Sequence, residues 1–166
     1  PLKILLFINI IMISKYMDDY KNKDILNKYD IRFEKPYIKD FLLYTLFELI
    51  EPYGKTILDC PCSTGYITDL LIKKGAKFVI GCDIVKEQIE YAKNRLSNNG
   101  ISENKYKLLD YDAKIPQLIY KEVDIAIVIH LFCFANDFKE MIDIGKFIYM
   151  NLKSIISFWV LEKIGK

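Results

Sequence analysis

The sequence lacks several features on which common functional classes depend. It contains one histidine, and its formal net charge is only +2 over 166 residues. A nucleic-acid surface needs a clustered basic face, whereas the lysines here alternate with acids, so we expect no nucleic-acid partner. With 52% hydrophobic and 28% charged residues, the composition is that of an ordinary globular domain.

The chain also lacks the cysteine spacing of a metal or redox site. Of its four cysteines, two are separated by a single residue, and none forms a Cys-x-x-Cys pair. With only one histidine besides, we predict no metal site. We interpret the thiols as reduced and packed in the interior, which suits a cytoplasmic protein. The four are Cys60, Cys62, Cys82 and Cys133.

No apolar run is long enough to span a bilayer as a helix. Residues 1–13 are strongly apolar, but they are too few for a span, and no small-residue cleavage site of a signal peptide follows them. We therefore expect no membrane association. The chain starts with proline, and Met12 is an alternative start, so we assign residues 1–37 to an N-terminal arm whose first residues need not be native.

The rest of the chain alternates between short aliphatic runs and amphipathic segments. Continuous hydrophobic strands alternating with helices indicate a parallel sheet covered on both faces, and crossover handedness makes it doubly wound. We therefore predict an α/β, doubly wound, mainly parallel Rossmann-like domain over residues 38–166. The predicted strands are 56–60, 77–82, 106–109, 123–129 and 155–161, and the helices are 38–50, 64–74, 85–97 and 136–152, the last with Phe138, Met141, Ile142, Gly145 and Ile148 inward.

Ligands bind beyond the carboxyl ends of the strands in such a sheet, and a carboxylate stands at the second of these ends. Asp83 follows Gly65 of the first strand's loop by 18 residues. An acid at this position can accept both hydroxyl hydrogens of a ribose, the alternative being a solvent-facing loop aspartate.

The loop after the first strand does not suit a dinucleotide. Pyrophosphate binding needs closely spaced glycines whose backbone amides approach the phosphates. Pro61 has no amide hydrogen, and Ser63 carries a side chain. S-adenosylmethionine has no phosphate, and its aminoacyl end tolerates this loop, so an NAD-dependent oxidoreductase is the less favoured alternative.

Taken together, these segments resemble class I S-adenosylmethionine-dependent methyltransferases. Residues 57–66 are similar to their first motif, 79–84 with 89–93 to the second motif and its helix, 112–116 to the adenine-side motif, and 123–128 to the fourth strand. The similarity in order and spacing runs over residues 53–153. Within this family, the sequence most resembles small-molecule methyltransferases of the toxoflavin-synthase and ubiquinone-biosynthesis type.

The resemblance implies a binding site for S-adenosyl-L-methionine. It assigns the aminoacyl group to the first loop, the ribose and adenine to the second and third strand ends, and the surroundings of the sulfonium to the fourth. His130, the sole histidine, is a candidate base for the acceptor, although it also reads as a residue that begins a helix. The implied cofactor-binding residues are Asp59, Cys60, Pro61, Ser63 and Gly65 of the first loop, then Asp83, Ile84, Asp112, Ala113 and Ile129.

The departures from the family pattern bear on substrate and completeness. After the fourth strand the sequence reads Ile129-His130-Leu131-Phe132 in place of an Asn- or Asp-Pro-Pro-aromatic loop, which favours a small-molecule methyl acceptor. The last two strands of the family fold are missing, so we expect a partner or a missing segment to cover the apolar edge of the fifth strand. A non-catalytic or truncated cofactor-binding module is therefore the main alternative to an active methyltransferase.

Overall fold

The computed structural model describes residues 4–9, 46–153 and 157–162, the first and last of these segments by their backbone. Six parallel strands form one sheet in the order β4-β3-β2-β5-β1-β6. The strands are β1 Ile4–Asn9, β2 Thr56–Asp59, β3 Phe78–Asp83, β4 Tyr106–Asp110, β5 Ile125–Ile129 and β6 Ser157–Glu162. The helices are α1 Tyr66–Lys73, α2 Lys86–Asn98 and α3 Phe138–Asn151, with 3₁₀ turns at Glu103–Lys105 and Leu131–Phe134, and residues 46–49 are helical as well.

The topology confirms the predicted doubly wound α/β sheet. From β2 the chain builds outward through β3 to β4, and it then returns to place β5 on the other side of β2. The direction of winding therefore reverses between β2 and β5. In open α/β sheets ligands bind at this reversal, outside the carboxyl ends of the strands.

One strand was not predicted from the sequence. The apolar residues Ile4–Asn9, which we assigned to the N-terminal arm, form β1 between β5 and β6. Leu5 is in register with Ala126 on one side and with Phe158 on the other. The fifth predicted strand, which is β6, is thus separated from the fourth, which is β5, by β1. It is still the terminal strand among those that the structure describes.

Alternate residues of the central strands bury their side chains on opposite faces of the sheet. Leu58 and Ile80 pack on the face that α3 covers, whereas Ile57 and Val79 pack on the face that α1 and the helical residues 46–49 cover. All four are fully buried. Burial on both faces explains why these strands read as unbroken aliphatic runs in the sequence.

The predicted inward face of α3 is wrong for three of its residues. Phe138, Met141 and Ile142 are exposed, by 75%, 42% and 43%, whereas Ile144 and Phe147 are fully buried beside the correctly predicted Ile148. Ile144, Phe147 and Ile148 also follow helical spacing, so hydrophobic periodicity allowed this face as well as the predicted one. The Phe147 ring stacks on Tyr111 at a centroid distance of 5.2 Å.

A buried asparagine fixes the C-terminal end of α3. The side-chain oxygen of Asn151 accepts the backbone N–H groups of Ile119 and Tyr120, at 2.8 and 3.0 Å. Its amide nitrogen donates to the carbonyl oxygens of Gln117 and Phe147, at 2.9 and 2.8 Å. One side chain therefore satisfies four backbone groups and ties the loop before β5 to the helix.

Among the described residues, no helix has the length and apolar character that a membrane crossing requires.

We predict that Asn151→Ala lowers the free energy of unfolding by about 2–4 kcal/mol, because buried backbone groups lose their partners and each unsatisfied group costs about 1–3 kcal/mol. Urea unfolding followed by circular dichroism measures the change. Asn94→Ala, at an exposed position of α2, is the matched control and should change stability by less than about 0.5 kcal/mol. Equal stability of the two variants would contradict the stabilising role of the four hydrogen bonds of Asn151.

Candidate functional site

The carboxyl ends of four neighbouring strands form the candidate site. β4, β3, β2 and β5 lie side by side and run parallel, so the loops that follow them meet at one edge of the sheet. The strand tips carry Asp110, Asp83, Asp59 and Ile129 in that order. The reversal of winding between β2 and β5 lies between Asp59 and Ile129.

The loop after β2 is bound tightly to β3 and α2. The backbone N–H of Cys62 donates to the carbonyl of Cys82 at 2.9 Å, and that of Gly65 donates to the carbonyl of Cys62 at 2.9 Å. Gly65 has φ 75°, and a Cβ placed on it would lie 2.8 Å from the Cβ of Ala92. Only glycine allows both this left-handed turn and the close approach of α2. The Cys60–Pro61 peptide bond is cis.

Ser63 stands where the family has glycine, and its backbone has the conformation that glycine favours. Its φ is 48°, in the left-handed region that non-glycine residues adopt at a cost of about 1–2 kcal/mol. Its hydroxyl oxygen is buried and has no hydrogen-bond partner in the structure. The turn geometry of the motif is therefore kept despite the substitution.

Asp83 joins the first loop to the second, as the sequence predicted for a shared site. One of its carboxylate oxygens accepts the backbone N–H of Ser63 at 3.0 Å, and the other accepts that of Val85 at 2.9 Å. The residue is 5% exposed. Burial raises the pKa of the Asp83 carboxyl to about 6, although the amide hydrogen bonds oppose that rise.

Asp59 is more deeply buried than Asp83. It is 2% exposed, and a carboxylate oxygen accepts the hydroxyl of Thr68 of α1 at 2.6 Å. Burial raises the pKa of Asp59 to about 7, and the charge of Asp83 adds to the effect. Asp59 thus connects β2 to α1 beneath the loop, and its contact with the cofactor stays a prediction.

The loop after β4 continues the same edge. The backbone N–H of Tyr111 donates to the carbonyl of Asp83 at 2.9 Å, which places the loop next to the tip of β3. Asp112 accepts the N–H of Lys114 at 2.9 Å, and Ala113 is buried. Ile84 is 46% exposed directly after Asp83, so an apolar side chain is open to solvent beside the predicted ribose position. The predicted adenine-side residues therefore border the predicted ribose acceptor.

The segment after β5 closes the site on its other side. Ile129 is half-buried, and His130 has φ 63° immediately before the 3₁₀ turn Leu131–Phe134. The thiol of Cys133 donates to the carbonyl of His130 at 2.7 Å. This position agrees with a histidine that begins a helix, and a role as base stays a prediction.

Sequence reasoning missed two residues that contact the predicted loop or its acid. They are Thr68, the partner of Asp59, and Arg95 of α2, whose Nε donates to the carbonyl of Thr64 at 3.0 Å. Arg95 lies three residues after Ala92 and so on the same face of α2, which is the only signal the sequence carries for it. Arg32 and Tyr37 of the N-terminal arm, which are candidates for closing over the cofactor, lie outside the described residues.

Within the described part of the chain, no group of three or more histidine, cysteine, aspartate or glutamate side chains is arranged to hold a metal ion.

Comparison with known proteins identifies the family. A family described as "Methyltransferase domain" matches residues 53–155, which is more than half of the chain. The chain therefore belongs to the methyltransferase domain family, and the resemblance found in the sequence is confirmed.

Two curated relatives and one solved structure illustrate the similarity. The ribosomal protein L11 methyltransferase of Aliivibrio salmonicida is 33% identical over 79 residues, which cover 48% of this chain and 26% of that protein. An uncharacterized RNA methyltransferase of Clostridium acetobutylicum is 33% identical over 75 residues, covering 45% and 16%. A crystal structure from Methanococcus maripaludis, of a protein assigned as an S-adenosyl-L-methionine-dependent methyltransferase, has a TM-score of 0.65 at 15% identity and covers 80% of this chain and 60% of that one. The chain thus spans about a quarter or less of the length of these curated relatives.

We predict that lowering the pH from 7 to 5 raises the free energy of unfolding, on the order of 1 kcal/mol per pH unit. The folded pKa of Asp59, about 7, lies above its unfolded value, so the folded chain binds a proton in this range that the unfolded chain does not. Acids with lowered pKa, such as Glu140 at about 2, lose stabilising charge only below this range.

Urea unfolding at several pH values measures this slope. Asp59→Asn should reduce the slope without removing it, because the folded pKa of Asp83, about 6, also lies above its unfolded value. Glu103→Asn, at an exposed site on the 3₁₀ turn before β4, is the control and should keep the wild-type slope. If the free energy of unfolding of the wild type decreases as the pH is lowered from 7 to 5, the raised pKa of the buried Asp59 carboxyl is contradicted.

Proposed function

We propose that this chain binds S-adenosyl-L-methionine at the carboxyl edge of the sheet and transfers its methyl group to a small-molecule acceptor. The observation that carries the proposal is the Asp83 carboxylate, held between the amides of Ser63 and Val85 beside the loop after β2. Family membership supports methyl transfer as the reaction. The fold shared with the Methanococcus maripaludis protein supports the choice of cofactor.

Asp83 keeps acceptor capacity for a ribose. A carboxylate has about four lone-pair sites, and three backbone amide hydrogen bonds occupy three of them in a fixed orientation. The remaining site suits a hydroxyl of an adenosyl ribose. The exposed side chain of Ile84 offers an apolar surface for the adenine ring, and the loop with Asp112 and Ala113 would contact the edge of that ring.

The same loop argues against a dinucleotide. Pro61 has no amide hydrogen, and the N–H groups of Cys62, Ser63 and Gly65 are already used within the protein. The carboxyls of Asp59 and Asp83 also lie where a pyrophosphate would bring two negative charges. A ligand without phosphate that carries a cationic sulfonium and ammonium group suits this site better than NAD does.

The residues of the chain contribute position and exclusion of water rather than strong acid–base chemistry. The bound cofactor supplies an already activated methyl group on its sulfonium. Asp83 and the loop of residues 60–65 orient the ligand, and Ile129 lines the site where methyl transfer takes place. His130, at the end of β5, is the candidate base for an acceptor that must lose a proton.

The chemical class of the methyl acceptor is a separate part of the proposal. Ile129, Leu131, Phe132 and Phe134 give the segment after β5 an apolar character, which suits a small uncharged molecule. The curated relatives act, by their names, on ribosomal protein L11 and on RNA, so a macromolecular acceptor is the competing possibility. A non-catalytic cofactor-binding module is the other alternative, because the chain covers only part of these relatives.

We place the protein in the cytoplasm as part of the same proposal. In the part of the chain that the structure describes, no disulfide joins Cys60, Cys62, Cys82 or Cys133, and burial raises the pKa of Cys62 and Cys82 well above the ordinary thiol value. Reduced, protonated thiols are typical of a reducing compartment.

We predict that Asp83→Asn weakens S-adenosylhomocysteine binding by about 1–3 kcal/mol, because the ribose hydroxyls lose a charged acceptor. Isothermal titration calorimetry measures the affinity, and NAD titrated in parallel should give no heat of binding. Glu103→Gln, which removes an exposed carboxylate far from the site, is the matched control and should leave the affinity unchanged. Equal affinity of Asp83→Asn and wild type would remove the ribose assignment.

We predict that methyl-labelled S-adenosylmethionine transfers label to the small-molecule fraction of a cell extract, when that fraction is presented separately from its protein and RNA. Asp83→Asn should reduce the rate at limiting cofactor. Label in the protein or RNA fraction would refute the small-molecule acceptor while keeping methyl transfer. Cofactor binding without labelling of any fraction would favour the non-catalytic module.

A further inference from the structure

We propose that Arg95 is a positioning residue that holds the turn after β2 in its binding conformation and so sets the affinity for the cofactor. The proposal rests on the function proposed above. Arg95 belongs to α2, at the back of the loop, and it acts through Thr64 rather than by touching the ligand.

The guanidinium is hydrogen-bonded to the most demanding point of the turn. Its Nε donates to the carbonyl oxygen of Thr64 at 3.0 Å. Thr64 lies between Ser63 and Gly65, whose φ angles of 48° and 75° are both left-handed. Left-handed residues on both sides of Thr64 make a sharp turn, and Ser63 adopts this conformation against its preference. A charged donor on the intervening carbonyl opposes relaxation of that turn.

A second contact of the same side chain reaches the start of α1. The guanidinium carbon lies 5.6 Å from the ring centroid of Tyr66, within the range of a cation–π interaction. Arg95 thus contacts the chain on both sides of Gly65. The position of Gly65 is therefore defined by contacts to the residue before it and the residue after it.

The backbone of α2 supports the same turn directly. Ala92 is fully buried and lies three residues before Arg95, on the same face of the helix. A Cβ on Gly65 would approach the Cα of Ala92 to 3.1 Å, so the helix surface is in contact with the turn. Ala92 limits how far the turn can move inward, and Arg95 restrains it from moving outward.

Holding the turn also holds the ribose acceptor. The N–H of Ser63, adjacent to Thr64, donates to Asp83. If the carbonyl of Thr64 is released, Ser63 can rotate and this hydrogen bond is lost. Arg95 is thereby linked to the orientation of Asp83 through two hydrogen bonds, one to the carbonyl of Thr64 and one from the N–H of Ser63, although it lies on the far side of the turn.

The test compares Arg95→Met, which keeps length and bulk but removes every donor, with Arg95→Lys, which restores a cation and a donor. Lys93→Met, at an exposed position of the same helix, is the matched control. Calorimetry with S-adenosylhomocysteine measures affinity, and amide hydrogen exchange by NMR measures protection of the Ser63 and Gly65 N–H groups without ligand.

We expect Arg95→Met to weaken S-adenosylhomocysteine binding about tenfold and to speed exchange of the Ser63 and Gly65 amides by a similar factor, since the turn loses a hydrogen bond from a charged donor. The amides of β2 and β3 should keep wild-type protection. Arg95→Lys should lose about threefold in both measurements, and Lys93→Met should lose nothing. A merely structural role would speed exchange throughout the sheet and would not be rescued by lysine.

Wild-type affinity and wild-type loop exchange in Arg95→Met would overturn the proposal. So would faster exchange spread evenly over the domain. If the wild type itself does not bind S-adenosylhomocysteine, the proposed function fails and the effect on affinity fails with it, while the exchange rates still decide whether Arg95 holds the turn. If Arg95→Met does not fold, Arg95→Gln, which removes the cation and shortens the side chain, takes its place, and wild-type affinity together with wild-type exchange at Ser63 and Gly65 in that variant would refute the restraint.

Discussion

The candidate site depends on one carboxylate that is bonded on two sides. Asp83 accepts the amide of Ser63 from the preceding loop and the amide of Val85 from the start of its own loop. These two bonds fix the plane of the carboxylate and the separation of two strand ends. The Tyr111 amide, bonded to the carbonyl of Asp83, extends the arrangement to a third strand end. Three loops that are distant in sequence are therefore hydrogen-bonded to the same residue, Asp83. The relative positions of these loops determine how a ligand at this edge can bind.

This arrangement has an electrostatic cost. Asp59 and Asp83 are both almost fully buried, and burial raises the pKa of each toward neutrality. A sheet edge selected for stability alone would carry apolar residues at these positions. A cationic ligand offsets the cost, because it brings positive charge close to both groups. The two buried carboxylates are therefore more stable beside a bound cationic ligand than in the free protein. Binding of such a ligand should stabilise the fold.

Much of the fold was predictable because buried parallel strands and their helices leave strong patterns. Strands β2 to β6 and helices α1 to α3 lie within about two residues of their predicted ends. The rotation of α3 was not decided by the pattern, because apolar residues stand at helical spacing on two of its faces. The buried face is the one on which Asn151 bonds to a distant loop and Phe147 stacks against Tyr111. For the site, motif order brought Asp83 and the loop of residues 60–65 together correctly. Thr68 and Arg95 were missed, because an inward threonine and a helical arginine look like any others until their partners are known.

The placement of β1 has a consequence for how the sheet is assembled. Its neighbours are β5 and β6, so every backbone hydrogen bond of this strand joins residues more than a hundred positions apart. The four strands of the candidate site, by contrast, are linked through β2, β3, β4 and β5 with no contribution from β1. Contacts so far apart in sequence close slowly, because the intervening chain must first lose its conformational freedom. During synthesis on the ribosome, β1 has neither neighbour until β5 and β6 have been made, and the four strands of the candidate site can organise before β6 pairs with β1.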